Sequence, residues 1–314
     1  MITAGLRRAI GADDPQLRPG PVPGSYTSSL PFRLDPANPR AAAAHLAARL
    51  REQLWIAGAE VTGPGFVTVT VTHVTLARLA IRIANAGPAC AESDALAGRT
   101  VRVQAPGPAG VADWPQARAA LAAELTVRLA LAAGAVIDPE RPEVPAPAPP
   151  SRGPVAEAIA YAGPDAVRFT LARMPPGGRP PEAAVIARHV LANPAYAVRY
   201  AHAAAAAVLR WAAALGTRPA GFTPRLLAEP GELALLDALS WLPERVAVAA
   251  RRGRPDEFAG YLAELAARTI DTMSTSRFRK IPDISSERLW LADAARTGLA
   301  AGLGLLGIDA PPRL

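Results

Sequence analysis

Between Asp138 and Pro154 the chain carries prolines at positions 139, 142, 145, 147, 149, 150 and 154. Each proline removes a backbone N–H and fixes φ, so a run this dense can be neither the centre of a sheet nor the interior of a helix. It is expected to run extended as a semi-rigid connector. The 314 residues are therefore divided into two parts, with room for two or three domains that each bury a core.

The part before the connector has a mixed pattern. From Pro39 to Leu54, Ala42, His45, Leu46, Leu50 and Leu54 recur at helical spacing, with Arg49, Arg51 and Glu52 on the opposite face. Val61 and the turn Gly63-Pro64-Gly65 follow, then Phe66 to Thr72, whose alternation marks a half-buried strand. That turn is not a phosphate loop, because no glycine-lysine pattern follows it. Thr100 to Gln104 reads as a short strand, Pro106 to Trp114 as a loop, and Pro115 to Ala133 as a helix stopped by Gly134.

Beyond the connector the pattern is helical. Asn193-Pro194 is a helix start, with Asn capping and Pro in the first helical position, and the helix is expected to run to Leu215. Further helices are expected over Glu232 to Leu242, Asp256 to Phe278 and Ser286 to Leu306, the last with Leu289, Leu299, Leu303 and Leu306 as an apolar stripe. The fold class is thus an α+β N-terminal domain joined to an all-α helical bundle.

Charge narrows the function only slightly. The net charge of +7 permits an anionic partner without demanding one, and every one of the 34 basic residues except Lys280 is arginine, a skew that reads as coding bias. Arg251, Arg252 and Arg254 form one basic cluster at a turn; Arg277, Arg279 and Lys280 form another at a helix end. Either suits phosphate, although such clusters are more often solvated surface. The single cysteine, Cys90, excludes an internal disulfide framework and a multi-cysteine zinc site, and His45, His73, His189 and His202 show no metal-ligand spacing. No metal, cofactor or membrane span is expected, and the absence of a signal-peptide core points to the cytoplasm.

The run Asn193-Pro194-Ala195-Tyr196-Ala197-Val198-Arg199-Tyr200-Ala201-His202 resembles the Asn-Pro-x-Tyr-x-x-Gln-Tyr-Ala-His helix of the arginyl-tRNA synthetase anticodon-binding domain. Asp165-Ala166-Val167-Arg168 is similar to the Asp-Ala-Leu-Arg signature that names that domain, and Gly302 to Leu314 resembles the family's ending with a final Leu in place of Met. The resemblance spans 155 to 314. The N-terminal half is similar to the family's additional domain, which meets the tRNA elbow: Gly24-Ser25-Tyr26 stands for Gly-Asp-Tyr, Gly63-Pro64-Gly65-Phe66 matches, and Ser29 stands where the family often has Asn. The middle segment resembles the family's first catalytic strand and helix, but Asp113-Trp114-Pro115-Gln116 occupies the His-x-Gly-His positions that stabilise ATP phosphates in class I synthetases. A chain with one lysine cannot supply Lys-Met-Ser-Lys-Ser, and Thr272 to Ser276, inside a late helix, only imitates it. About twenty residues between Gly134 and the anticodon-like part are too few for the remaining strands and helices of a nucleotide-binding sheet.

The resemblance implies an additional-domain-like unit over 1–95, a vestigial catalytic strand and helix over 96–137, a linker over 138–154 and an anticodon-binding-like domain over 155–314. It implies a protein that binds tRNA, above all arginine tRNA, and does not activate amino acid. Asn193, Tyr196, Arg199, Tyr200, His202, Arg251, Arg252, Arg277, Arg279, Lys280 and, in the N-terminal half, Tyr26 are the candidate RNA contacts. Tyr196 and Tyr200, four residues apart, share one helical face and suit base stacking, or equally the packing of a bundle. Two alternatives stand beside this reading: a protein-interaction module that has lost its RNA contacts, with a protein partner, and an arginine–tRNA ligase component that depends on a separate catalytic chain.

Overall fold

The computed structural model describes residues 1–101, 113–137, 152–280 and 283–314. The chain opens with α1 (Ile2–Ile10), which ends on Gly11 in the left-handed region at φ 74°. A four-stranded antiparallel sheet follows, built from β1 (Leu17–Pro19), β2 (Ser25–Ser28), β3 (Ile56–Thr62) and β4 (Phe66–Val71) in the order β1-β2-β4-β3. Short α2 (Pro31–Leu34) and α3 (Pro39–Arg51) lie between β2 and β3. The strand read from Phe66 onward is present with Val67, Val69 and Val71 buried on one face, but Thr68 on the other face is buried as well, so the alternation is incomplete. The helix expected to reach Leu54 stops at Arg51, and Leu54 is 98% exposed beyond its end.

Helices α4 (His73–Ala77) and α5 (Leu79–Ala86) and a single turn of 3-10 helix (Gly87–Ala91) lead to a small parallel pair. In it β5 (Thr100–Val101) pairs with β6 (Val136–Ile137), and α6 (Trp114–Ala132) is the crossover between them. Parallel strands need such a crossover. The rest of the strand expected up to Gln104 lies outside the described residues, as does the linker from 138 to 151. Pro154, assigned to that linker, instead occupies the first position of α7 (Pro154–Ala162).

The remaining helices are α8 (Pro164–Arg173), α9 (Ala183–Ile186), α10 (Pro194–Ala214), α11 (Pro230–Ser240), α12 (Leu242–Arg252), α13 (Pro255–Met273), α14 (Ser276–Arg279) and α15 (Ser286–Leu305). Two expectations are corrected here. The helix expected over Asp256 to Phe278 breaks at Ser274-Thr275, where the Thr275 hydroxyl donates to the Thr272 carbonyl at 2.9 Å and competes with the helical ladder. Thr272 to Ser276 therefore sits at a helix end rather than inside a helix. Arg251 and Arg252, expected at a turn, belong to the last turn of α12, a helix the sequence pattern did not assign.

α15 lies at the centre, packed by α10 and α13 on one side and by α5 and the 3-10 turn of the N-terminal half on the other. Gly302 permits this: a Cβ there would stand 2.4 Å from Leu262 Cδ2 on α13. The two halves thus share one continuous core. Cys90 lies in it, fully buried, and burial pushes its thiol up to about 12. A thiol is reactive as thiolate, so a disulfide reagent at pH 8 is expected to label Cys90 only on unfolding. Stoichiometric labelling of the folded protein within seconds would contradict this burial.

Candidate nucleic-acid interface

Asn193 shows why α10 begins where it does. Its side-chain oxygen accepts from the Ala195 N–H at 3.2 Å, and its amide nitrogen donates to the carbonyls of Ile186 and Arg188 at 2.9 and 2.7 Å. Both of its amide donors and its side-chain oxygen thus go into capping the helix and tying down the loop before it. That loop carries His189, whose ring stacks on Tyr196 with centroids 5.3 Å apart and planes 12° apart. Tyr196 stacks in turn on Tyr200 at 5.8 Å and 27°. The rings form a three-membered ladder, with Tyr200 37% exposed.

The ladder opens onto a trough of about 390 Å³ along α10. Ala203, Ala204 and Ala207 line it between Tyr200 and Trp211, while Met273, Phe278 and Arg279 come from α13 and α14. Arg210 and Arg313 stand at the Trp211 end. Among the described residues no acidic side chain lines the trough, and Arg210, Arg279 and Arg313 make no ion pair. The Arg210 guanidinium donates to the Pro312 carbonyl and holds the 312–314 segment beside it.

The other sequence candidates are placed differently. Tyr26 is fully buried, its hydroxyl 2.7 Å from Ser240 Oγ and its ring 5.1 Å from Trp241, so it joins the sheet to the bundle and is withdrawn from any RNA surface. His202 is also buried; the Pro311 carbonyl can only accept, so Nδ1 donates to it across 2.9 Å, and burial lowers the ring's pKa. It anchors the ending of the chain. Arg199 reaches Asp165 at 3.6 Å, Arg251 pairs with Asp14 at 3.0 Å, Arg252 with Glu257 at 3.0 Å and Arg277 with Glu229 at 2.7 Å. Of the two basic clusters, only Arg279 lines the trough; Lys280 is exposed next to it in sequence. Ser29 donates to the Gln16 side chain at 2.8 Å.

The sequence reading missed Trp211, Arg210 and Arg313 as site residues, and gave His189 only a negative role as a non-ligand. The signal for Trp211 was present: it lies eleven residues after Tyr200, within about 20° of the same helical face.

A larger open depression of about 680 Å³ lies over β3 and β4, lined by Arg51, Glu60, Thr68 and Thr70 among others. It has no aromatic side chain, and its one arginine donates to the Ala59 carbonyl at 2.7 Å. Among the described residues no group of three metal-ligating side chains could hold an ion, and no helix is long and apolar enough to cross a membrane.

The segment over β5 and α6 has a structural use. Asp113, at the first of the His-x-Gly-His positions, caps α6 by accepting from the Gln116 N–H at 2.8 Å, and Trp114 packs partly buried against the core. Glu124 on α6 is buried and accepts from Arg168 at 2.6 Å and from Arg128 at 3.0 Å. Arg168 also donates to the Leu306 carbonyl at the end of α15. The charged residues of Asp165-Ala166-Val167-Arg168 therefore lock α8 to α10, α6 and α15.

Residues 198–314 match the family described as DALR anticodon binding domain. An arginine–tRNA ligase of Clavibacter sepedonicus is 40% identical over 136 residues, covering 42% of this chain and 24% of its own length. Those of Kineococcus radiotolerans and Paenarthrobacter aurescens are 43% identical over 128 residues and 38% identical over 164 residues, covering 23% and 30% of their own lengths. The match thus spans less than a third of each of these relatives. The arginyl-tRNA synthetase of Thermus thermophilus superposes with a TM-score of 0.73 at 14% identity, the alignment extending over 100% of both chains, which establishes likeness of fold.

Proposed function

We propose that this homologue of arginine–tRNA ligases, with its DALR anticodon-binding domain, binds tRNA, foremost arginine tRNA, in the trough on α10 and does not itself activate amino acid. The observation that carries the reading is the ladder His189–Tyr196–Tyr200, exposed at its two ends, opening onto a trough that three arginines line and no carboxylate side chain enters. Rings stack on unpaired bases, and guanidinium groups neutralise the phosphates between them. Neutralising three phosphates gives a slope of about −2 to −3 for log affinity against log salt. Titration of an arginine tRNA transcript at several salt concentrations checks this, and salt-insensitive association or none would reject it.

Two features support the absence of activation. Asp113 and Gln116 stand where the phosphate-stabilising imidazoles would, the Asp113 carboxylate capping α6 by accepting from the Gln116 N–H, and Pro115 replaces the glycine between them. Purified chain is expected to give no arginine-dependent ATP–pyrophosphate exchange above background, with or without tRNA. Exchange that follows the chain through purification would establish the ligase alternative. The internal pairing of Arg251, Arg252 and Arg277 favours the protein-interaction reading to the extent that it removes cations from RNA. A partner captured after ribonuclease treatment, by a chain that shifts no tRNA, would decide for it.

A further inference from the structure

Trp211 lies in the last turn of α10 and is 56% exposed, an unusual position for the largest apolar side chain. Eleven residues of helix separate it from Tyr200, which carries it about 16 Å along the axis and to within about 20° of the same face. Between the two rings the trough is floored by Ala203, Ala204 and Ala207, whose small side chains leave the space open. Beside Trp211 stand Arg210 and Arg313, and Arg279 lines the trough as well.

We propose that Trp211 is a second base-stacking platform, so that the trough holds a continuous run of single-stranded RNA from the tyrosine ladder to the end of α10. This rests on the tRNA-binding reading and extends it to a length and a strandedness. At about 3.4 Å per stacked nucleotide, 16 Å accommodates a run of about five. A duplex does not fit the arrangement, because its base faces are already stacked and only its edges and backbone meet a protein. Charge favours RNA over an acidic or apolar peptide: three arginines line the trough with no acidic side chain, and rings at both ends offer flat faces that match bases.

Trp211→Ala is expected to weaken binding of an arginine tRNA transcript about 5- to 150-fold, the range for losing one stacked base, without lowering the melting temperature of a residue so exposed. Trp211→Phe keeps a ring and is expected to retain most of the affinity while losing part of the indole quenching that tRNA causes in the wild-type protein. Ala207→Asp, which puts a carboxylate on the trough floor, is expected to weaken binding as well. Wild-type tRNA affinity in Trp211→Ala, with unchanged quenching in Trp211→Phe, overturns this inference and leaves tRNA binding intact. A wild-type chain that binds no tRNA removes the parent reading with it. A dimer that Trp211→Ala dissociates would show the tryptophan covered by a second copy and also overturn the proposal.

Discussion

Replacing Arg168 by Met is expected to cost the folded protein about 3 kcal/mol, the lower end of the range for breaking a buried ion pair. Glu124 is only 5% exposed in its side chain, and Arg168 meets it at 2.6 Å while also donating to the Leu306 carbonyl. Without Arg168 the carboxylate stays buried with Arg128 alone, whose side chain is 42% exposed, and the carbonyl at the end of α15 loses its donor. For a chain of 314 residues the loss corresponds to a fall in melting temperature of about 4–5 °C. Arg168→Lys should recover only part, since a lysine ammonium cannot present the forked guanidinium to two acceptors. The double variant Arg168→Met with Glu124→Leu should regain much of what the single variant loses, because no charge is left buried unpaired. A single variant that melts with the wild type would mean that α6 is not fastened to the bundle through this pair.

Tyr196→Ala combined with Tyr200→Ala is expected to weaken tRNA binding at least about 30-fold, at about 1–3 kcal/mol for each stacked ring. The melting temperature should change little, because neither ring belongs to the buried core: Tyr196 is half-buried and Tyr200 is 37% exposed. That separation of binding from stability distinguishes a ligand surface from a packing face. Tyr196→Phe with Tyr200→Phe preserves the rings and should bind nearly as the wild type. If the double alanine variant instead melts early and binds tRNA normally, the tyrosines pack the bundle and the trough has another occupant.

Local signals were legible in the sequence wherever one short segment contains all the parts of a feature. Asn193-Pro194 gives the start of α10 because cap and helix are adjacent, and Phe66 to Val71 gives a strand because valine and threonine alternate within it. The ladder Tyr196–Tyr200 is likewise one helical turn. Features assembled from distant segments were not legible. Tyr26 looks like a surface residue of a tRNA-contacting domain until Ser240 and Trp241, more than 200 positions later, close over it. Arg251, Arg252 and Arg277 read as free cations until Asp14, Glu257 and Glu229 meet them. Trp211 was passed over because no motif contains it, although its helical phase relative to Tyr200 could have marked it.

The central claim is that tRNA lies in the trough floored by Ala204. It is tested most directly by placing a photoreactive label at that position through Ala204→Cys, with buried Cys90 left in place and unreactive, and mapping the nucleotides it captures in arginine tRNA. Crosslinks confined to unpaired nucleotides of the anticodon loop are the result expected. Crosslinks to the acceptor stem, or capture of protein in place of RNA, would contradict it.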